Sequence, residues 1–270
     1  MVHIKPVSNK ASTCIVLQTH KLSSESLAEF YRIFQECNEV FDVYILYDNS
    51  RNDFDSSCLE KPINYYLVDI EFLAKRYSLN HFSDPVSMTP GNVCFAWFEF
   101  SSKHHYDFYW FIEYDVRFTG NWKSLFQYFE GQSESDLLGT ALTSYDERKN
   151  WKWWKTLRAP WFSFLRNSEK IRGFFPVIRL SSGALNALKN ANQRGWKGHH
   201  EVVIPTVLHR LHFSIEDIGG VGRFVSEENI NRFYFNNRFA RGLAPGTFVC
   251  KPSEPIDERI DNKLYHKVIG

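Results

Sequence analysis

The sequence lacks any long hydrophobic segment. No apolar run in its 270 residues approaches the ~20 residues that a membrane-spanning helix requires. The opening stretch, MVHIKPVSNK, also lacks the apolar centre of a signal peptide. These absences predict a soluble chain located in the cytoplasm.

The cysteines lack any pairing pattern. They are odd in number and include no C-x-x-C motif, so neither a disulfide framework nor a zinc ribbon is expected. This usage is typical of a reducing compartment. The cysteines are spread along the chain as Cys14, Cys37, Cys58, Cys94 and Cys250.

Charge of one sign is not in excess either. The chain carries 32 Lys and Arg against 31 Asp and Glu, a net charge of +1, so no overall field draws it onto nucleic acid. The sequence also has no internal repeat, no low-complexity tract and no clear linker. A chain of this length and make-up is predicted to form one domain over residues 1–270.

Aromatic residues, in contrast, are abundant at 17% of the chain. Most of them are expected to fill the core, but flat rings also stack on sugars and nucleobases. A tryptophan-rich stretch at 151–161 also carries Lys152, Lys155 and Arg158. It is interpreted either as a packed lid or as a surface that contacts an acceptor or a membrane, and the second interpretation is favoured. The tryptophans of this stretch are Trp151, Trp153, Trp154 and Trp161.

Apolar patterning predicts alternating strands and helices. Thr13–Thr19 and Val43–Tyr47 are predicted strands, and the segment between them has apolar residues at helical spacing. A strand, a helix and a second strand of these lengths predict a parallel βαβ unit. Further predicted strands are Tyr65–Val68, Leu137–Leu142 and Phe174–Leu180, and further predicted helices are Asn92–Lys103, a helix from Ser181 or Ser182, and Glu201–Leu211 with Pro205 in its first turn.

Two carboxylates interrupt the most apolar stretch, Phe108–Phe118, which is predicted as one central strand. Because side chains alternate along a strand, Glu113 and Asp115 are expected on one side and Tyr114 on the other. Paired carboxylates at the carboxyl end of a parallel strand suit Mg²⁺ or Mn²⁺. A salt bridge with Arg117, or exposure at the end of the strand, explains the pair equally well.

The segment FYWFIEYDVRFTGNW resembles the metal-binding region of glycosyltransferases with the GT-A fold. That resemblance implies a single α/β, Rossmann-like domain with a mixed, mostly parallel central sheet flanked by helices. In the family an Asp-x-Asp motif holds a divalent ion, and Glu-Tyr-Asp stands in its place here. Asp115 then corresponds to the direct metal ligand, and Glu113 contacts the metal, a water or the ribose. His266 corresponds to a histidine that completes the metal shell.

The resemblance also implies residues that bind the nucleotide-sugar. TCIVLQTH and VYILYDNS resemble the first two nucleotide-binding strands, which places Asp48 against the nucleoside, with Asp69 as a second candidate. Arg179, next to Ser181-Ser182-Gly183, is a candidate for binding donor or acceptor oxygens. Turn formation by the aspartates and helix capping by the serines remain alternatives.

Glu201 is the candidate catalytic base. It lies in GWKGHHEVVIPTVL, which resembles the acceptor side of such transferases, where a carboxylate takes the proton of the attacking hydroxyl. A favourable charge at a helix start is the alternative explanation. The neighbouring His199 and His200 do not form the H-E-x-x-H motif of zinc hydrolases.

The predicted function is therefore that of an inverting hexosyltransferase dependent on Mn²⁺ or Mg²⁺. It would move a sugar from a nucleotide-sugar, a UDP-sugar by default, to a glycan or glycolipid in surface polysaccharide synthesis. Residues of about 13–120 would bind the nucleotide-sugar and about 121–270 the acceptor, with peripheral contact to the inner face of the membrane through the 151–161 stretch. The alternatives are a sugar-phosphate nucleotidyltransferase, disfavoured because TCIVLQTHKLSSES has no glycine-rich phosphate loop, and a non-catalytic protein that binds carbohydrate or a membrane surface.

Overall fold

The computed structural model of the protein describes residues 12–60, 63–79, 88, 91–235, 246–248 and 260–268. The strands are β1 (Thr13–Thr19), β2 (Asp42–Asp48), β3 (Asn64–Val68), β4 (Phe108–Glu113), β5 (Arg117–Phe118), β6 (Leu137–Ser144), β7 (Ile171–Ser181), β8 (Ile215–Asp217) and β9 (Leu264–Tyr265). The α-helices are α1 (Ser24–Cys37), α2 (Ile70–Arg76), α3 (Cys94–Lys103), α4 (Trp122–Gln132), α5 (Ser182–Gln193) and α6 (His200–Arg210).

Seven of these strands form one mixed sheet in the order β3-β2-β1-β4-β7-β6-β8. Strands β1 to β4 run parallel, β7 runs antiparallel to both β4 and β6, and β8 pairs parallel with β6. The prediction of an α/β domain with a mixed, mostly parallel sheet is confirmed. Because β7 is reversed, its first residues lie at the edge of the sheet where β1 to β4 end.

Helices cover both faces of this sheet. On one face α3, α5 and α6 bury apolar side chains against the strands, and on the other face α1 and α4 do so. Trp97, Trp110 and Trp122 are fully buried in these layers, so filling the core explains these aromatic residues. Within the described ranges, no helix is both long and apolar enough to cross a bilayer.

Serine side chains begin two of the predicted helices. Ser23 caps α1 by accepting a hydrogen bond from the backbone N–H of Ser26, and Ser181 caps α5 by accepting one from Ala184. Helix capping therefore accounts for Ser181. This was the alternative to the binding of donor or acceptor oxygens.

The prediction of one strand over Phe108–Phe118 was wrong. β4 ends at Glu113, and the chain turns there with the Val116 N–H donating to the Glu113 carbonyl, at 3.1 Å. Val116 and Phe118 are buried, so their apolar character reflects packing under the sheet and not a longer strand. After the turn, β5 pairs antiparallel with β9, with Arg117 opposite Tyr265. This pairing carries the following residue of the chain, His266, towards the end of β4.

Pro205 also lies elsewhere than predicted. Helix α6 starts at His200, which places Pro205 in the second turn, where its missing N–H removes one bond within the helix. Strand β7 is longer than the predicted Phe174–Leu180 and starts at Ile171.

Candidate metal and donor site

A cavity of roughly 230 Å³ opens where the parallel strands end. Ligands of open α/β sheets bind at this edge, outside the carboxyl ends of the strands. Its walls come from the ends of β1 to β4, from helix α3 and from the residue that follows His266. The lining residues are Gln18, Thr19, His20, Leu46, Asp48, Val68, Met88, Val93, Ala96, Glu113, Tyr114, Asp115 and Lys267.

Three side chains converge on one side of this cavity with geometry suited to a cation. Glu113, Asp115 and His266 each offer a ligand atom, and these atoms lie within 4.8 Å of one another. The His266 Nε2 atom is 3.5 Å from Glu113 Oε2 and 3.5 Å from Asp115 Oδ1. Asp115 reaches this position from the turn after β4. Glu113 and Asp115 do lie together as predicted, but a turn and not the alternation of side chains along a strand brings them together.

The residues present fit a divalent ion. Asp115 is almost fully buried, and its Oδ1 atom has no hydrogen-bond partner among the described residues. A buried carboxylate oxygen without a donor is costly, and metal coordination is one way to satisfy it. Two carboxylates and an imidazole form a donor set that binds Mn²⁺ readily.

Positive charge already balances the two carboxylates. Burial raises the pKa of Asp115, but the nearby positive charges of His266 and Lys267 outweigh it, so this pKa lies below its ordinary value. Burial lowers the pKa of His266, but Asp115 and Glu113 raise it by more, to about 9. The Lys267 Nζ atom is 3.5 Å from Asp115 Oδ2. The carboxylates of Glu113 and Asp115 are thus arranged around positive charge, which His266 and Lys267 supply.

Arg117 does not form the salt bridge that was the alternative explanation for these acids. Its Nε atom faces Glu29 at 3.7 Å, and its terminal nitrogens donate to the carbonyls of Tyr114, Val116 and Glu25. Arg117 therefore holds the turn after β4 in place and leaves Glu113 and Asp115 directed at the cavity.

The two candidate aspartates of the nucleoside pocket differ in position. Asp48 ends β2 and lines the cavity, with Oδ1 accepting a hydrogen bond from the Ser50 backbone N–H at 3.1 Å. Asp69 instead caps α2, accepting from the Phe72 N–H at 2.6 Å, and does not line the cavity. Helix capping explains Asp69, whereas Asp48 lines the cavity.

Arg179 as a donor-binding residue is contradicted by its position. Because β7 runs antiparallel to β4, Arg179 lies opposite Trp110, towards the amino end of β4 and away from the cavity. Its terminal nitrogens donate to the carbonyls of Phe129, Ser133 and Ser135, at 3.3, 2.7 and 3.0 Å. This arginine is a structural residue that ties the end of α4 to the sheet.

Glu201 lies at the start of α6, close to the metal-binding candidates. Its Oε2 atom is 3.5 Å from His199 Nδ1, and its side chain is 14% exposed. Burial raises the pKa of Glu201 to about 8, with Glu113 raising it as well and Arg172 and His266 lowering it. A carboxyl group with that pKa can accept and return a proton near neutral pH.

Sequence reasoning missed several residues of the cavity. Gln18 is the penultimate residue of β1, where its Oε1 accepts from Trp97 Nε1 at 2.7 Å and its buried Nε2 has no hydrogen-bond partner among the described residues. The only sequence signal for it was a polar residue closing an apolar strand. His20 also lines the cavity, and its ring meets Tyr114 edge-on at 5.1 Å. Loop residues of this kind leave no periodic pattern.

The tryptophan-rich stretch divides into two parts. Trp154 is buried and Trp151 and Trp153 are partly buried, with Trp153 stacked on His199 at a centroid distance of 4.5 Å. Trp161, in contrast, is 96% exposed. The first part therefore borders the start of α6 and Glu201, and the second part projects from the surface.

No protein-family model matches the chain, and no curated protein matches it in sequence. Solved structures resemble it at 10–11% identity. They include a protein described as a glucose-1-phosphate thymidylyltransferase from Bacillus anthracis (11% identity, 76% of this chain and 86% of that one, TM-score 0.43). Others are inositol-1-phosphate CTP transferase from T. maritima (10%, 78% and 86%, 0.42) and mouse xyloside xylosyltransferase 1 (11%, 78% and 88%, 0.41). At these values the likeness concerns the chain path and assigns no residue a role.

Proposed function

We propose that the protein is a metal-dependent glycosyltransferase that moves a sugar from a nucleotide-sugar to a glycan or glycolipid. The observation that carries the proposal is the convergence of Glu113, Asp115 and His266 beside a cavity at the carboxyl ends of parallel strands. These three residues come from two segments that are far apart in sequence, which a chance acidic cluster on one loop would not explain.

The position of Asp48 supports a nucleotide-sugar as the ligand. β2 and β4 are separated by β1, so Asp48 and Glu113 lie about 10 Å apart across the sheet. That span suits a nucleoside held near Asp48 whose diphosphate reaches the Glu113 and Asp115 side. Gln18 and His20, between these two points, offer hydrogen-bonding groups along the way.

The reaction would divide between the cluster and Glu201. A divalent ion, when held by Asp115, Glu113 and His266, would supply charge stabilisation for the leaving diphosphate. Lys267 lies beside Asp115 and adds a positive charge on the same side. Glu201 would take the proton of the acceptor hydroxyl as that oxygen attacks the anomeric carbon, which inverts the configuration there.

The proposal is tested by incubating the protein with a panel of nucleotide-sugars, with and without Mn²⁺. We expect release of a nucleoside diphosphate from at least one of them only when Mn²⁺ or Mg²⁺ is present. Release of pyrophosphate from a nucleoside triphosphate and a sugar phosphate would point to a nucleotidyltransferase. No turnover and no thermal stabilisation by any nucleoside diphosphate with Mn²⁺ would refute both enzyme functions.

We also propose that the protein reaches a glycolipid acceptor by binding the surface of an anionic membrane. Trp161, Phe162 and Phe164 are 96%, 67% and 79% exposed, and Arg158 and Arg166 beside them are exposed as well. Neighbouring exposed aromatic and basic side chains favour the interface of an anionic bilayer.

Cosedimentation with vesicles tests this contact. Vesicles containing phosphatidylglycerol should bind the protein, and pure phosphatidylcholine vesicles should bind it more weakly. Replacing Trp161, Phe162 and Phe164 by serine should reduce binding by about tenfold or more. Phe72→Ser, which removes a 40% exposed ring on α2, serves as the control. Unchanged binding of the triple variant would contradict the proposal.

A further inference from the structure

A buried arginine lies at the edge of the sheet where the candidate site is. Arg172 is the second residue of β7, and only 3% of it is exposed. Its Nε atom donates to Thr143 Oγ1 at 2.9 Å, and its guanidinium carbon lies 4.7 Å from the centre of the Trp151 ring. These contacts orient the guanidinium and leave its outer nitrogens to other partners.

Those outer nitrogens have no partner within the described part of the chain. The Nε–Thr143 hydrogen bond is the one hydrogen bond that the Arg172 side chain makes there, and no carboxylate forms an ion pair with it. Burying a charge in this way is costly unless something pairs with it. Arg172 thus differs from Arg179 in the same strand, whose outer nitrogens donate to carbonyls.

The surroundings of Arg172 do not neutralise it. Burial lowers its pKa to about 10, the nearby Glu201 raises it and Arg148 lowers it, so the guanidinium stays charged at neutral pH. Burial raises the pKa of Glu201, and among the described residues this carboxyl group forms an ion pair with His199 and none with Arg172. Glu147, which follows β6, accepts hydrogen bonds from the backbone N–H and the hydroxyl of Ser144, both at 2.8 Å.

Further cations and rings border the same place. Lys152 lies 4.4 Å from the centre of the Trp153 ring and is close enough to His199 to lower its pKa. Trp151 and Trp153 are partly buried, and each makes a ring contact with His199. We call this group of residues the rim; it consists of Arg172, Arg148, Lys152, Trp151 and Trp153. The rim combines positive charge with flat apolar surfaces, the two features that bind a charged sugar.

The rim and Asp48 lie on opposite sides of the cluster that Glu113, Asp115 and His266 form. In the sheet order, β7 follows β4 while β2 lies two strands to the other side, so Asp48 and Arg172 are about 14 Å apart across the strands. Glu201 couples electrostatically to both Glu113 and Arg172, so its carboxyl group is near both. A donor at Asp48 and an acceptor at Arg172 would then meet next to Glu201.

We infer that Arg172, with Arg148 and the Trp151 ring, forms an acceptor subsite for a sugar that carries an anionic group, a carboxylate or a phosphate. That the bound sugar is an acceptor rests on the proposed transferase function, but the binding of an anionic sugar at the rim does not. A guanidinium with free outer nitrogens binds either group through two parallel hydrogen bonds. The anionic group would supply the missing partner of the buried charge.

Binding of small sugars tests this inference without any turnover. The probes are methyl glucuronoside, glucose 6-phosphate and neutral methyl glucoside, titrated calorimetrically in the presence of UDP and Mn²⁺. We expect at least one charged sugar to bind about tenfold or more tightly than the neutral one. The two charged probes distinguish a carboxylate from a phosphate as the recognised group. Equal affinity for all three sugars would overturn the inference.

Two variants assign the effect to the rim. Arg172→Gln should remove the preference for the charged sugar, and Arg148→Gln, at a less buried position, should weaken it even if Arg172→Gln does not fold. Arg223→Gln removes an exposed arginine near α6 and should leave the preference unchanged. A preference that persists in both rim variants would overturn the inference.

A failure of this inference can be told apart from a failure of the enzyme function. If charged sugars bind through Arg172 and no nucleotide-sugar is consumed, the subsite stands and the transferase function falls. If a charged sugar is glycosylated and Arg172→Gln leaves its KM unchanged, the transferase function stands and the subsite falls.

Discussion

Two groups of buried charge lie at opposite ends of the paired strands β4 and β7. At the amino end of β4, Arg179 is enclosed by three carbonyl acceptors, by Glu130 and by the ring of Phe108. At the carboxyl end, Glu113, Asp115 and His266 approach one another only to 3.5 Å, beside a cavity. The outer nitrogens of Arg179 are paired within the protein, although its Nε atom has no hydrogen-bond partner among the described residues. In the second group, Glu113 and Asp115 line the cavity.

The contrast follows from what closes each end of the sheet. At the amino end, the end of α4 and the chain after it present backbone carbonyls to the outer nitrogens of Arg179. At the carboxyl end, the turn after β4 and the residues after β9 bring charged side chains together without enclosing them. Incompletely satisfied buried charge is typical of places where a ligand binds.

The sharpest way to test this contrast is to remove the carboxylate of Asp115. Asp115→Asn keeps the shape of the side chain but removes the charge that would hold a cation, so turnover should fall by about a thousandfold or more. The measurement is release of nucleoside diphosphate with Mn²⁺, and Asp55→Asn on the surface is the control. Retained turnover in folded Asp115→Asn would remove Asp115 from the site.

Glu201→Gln should have the next largest effect. Loss of a general base lowers turnover by about a hundredfold or more, while Mn²⁺ and UDP should bind as in the unchanged protein. Because the carboxyl group must be deprotonated to accept a proton, kcat/KM should rise with pH towards the Glu201 pKa of about 8, and the variant should lose this rise. Normal turnover would leave Glu201 as a helix-start charge only.

Arg179→Met should lower the stability of the protein without changing the candidate site. It removes the side-chain donor to the carbonyls of Ser133 and Ser135 and the ion-pair partner of Glu130, so the free energy of unfolding should drop by about 3 kcal/mol. Urea denaturation measures this, with Arg223→Met as the control. The folded fraction should still bind UDP and Mn²⁺ normally. A loss of binding without a loss of stability would mean that Arg179 takes part in the site after all.

His266→Gln should give the smallest effect of the four. It removes one ligand of the proposed set and leaves both carboxylates, so the affinity for Mn²⁺ should weaken by about ten- to a hundredfold. Calorimetric titration of Mn²⁺ measures the change, with His105→Gln, an exposed histidine, as the control. Unchanged affinity would place the ion, if any, away from β9.

Much of the sheet could be predicted because apolar periodicity reports local burial. β1, β2 and β3 were predicted to within one residue, and α1 lies in the segment predicted as helical, since each is a regular segment with one clear pattern. Glu113 and Asp115 stood out because carboxylates rarely interrupt so apolar a stretch. The break between β4 and β5 could not be seen, since Val116 and Phe118 are as apolar as strand residues.

The two arginines of β7 show where such reasoning stops. Both belong to the same run, IRGFFPVIRLS, and nothing in that run says which end faces the site. Arg179 was selected because serines and a glycine follow it, yet Arg172 lies at the edge where the parallel strands end. Seven residues of extended chain, about 23 Å, separate the two.

The order of residues along the chain was enough for the αβ alternation, the core aromatics and the pair of acids, because each depends on neighbours a few residues away. The direction of β7 and the β5–β9 pairing depend instead on contacts between segments more than fifty residues apart. Those contacts bring Asp115 next to His266 and direct Arg179 away from the cavity. A buried charge acquires its role from whatever surrounds it in space, and linear order does not specify that.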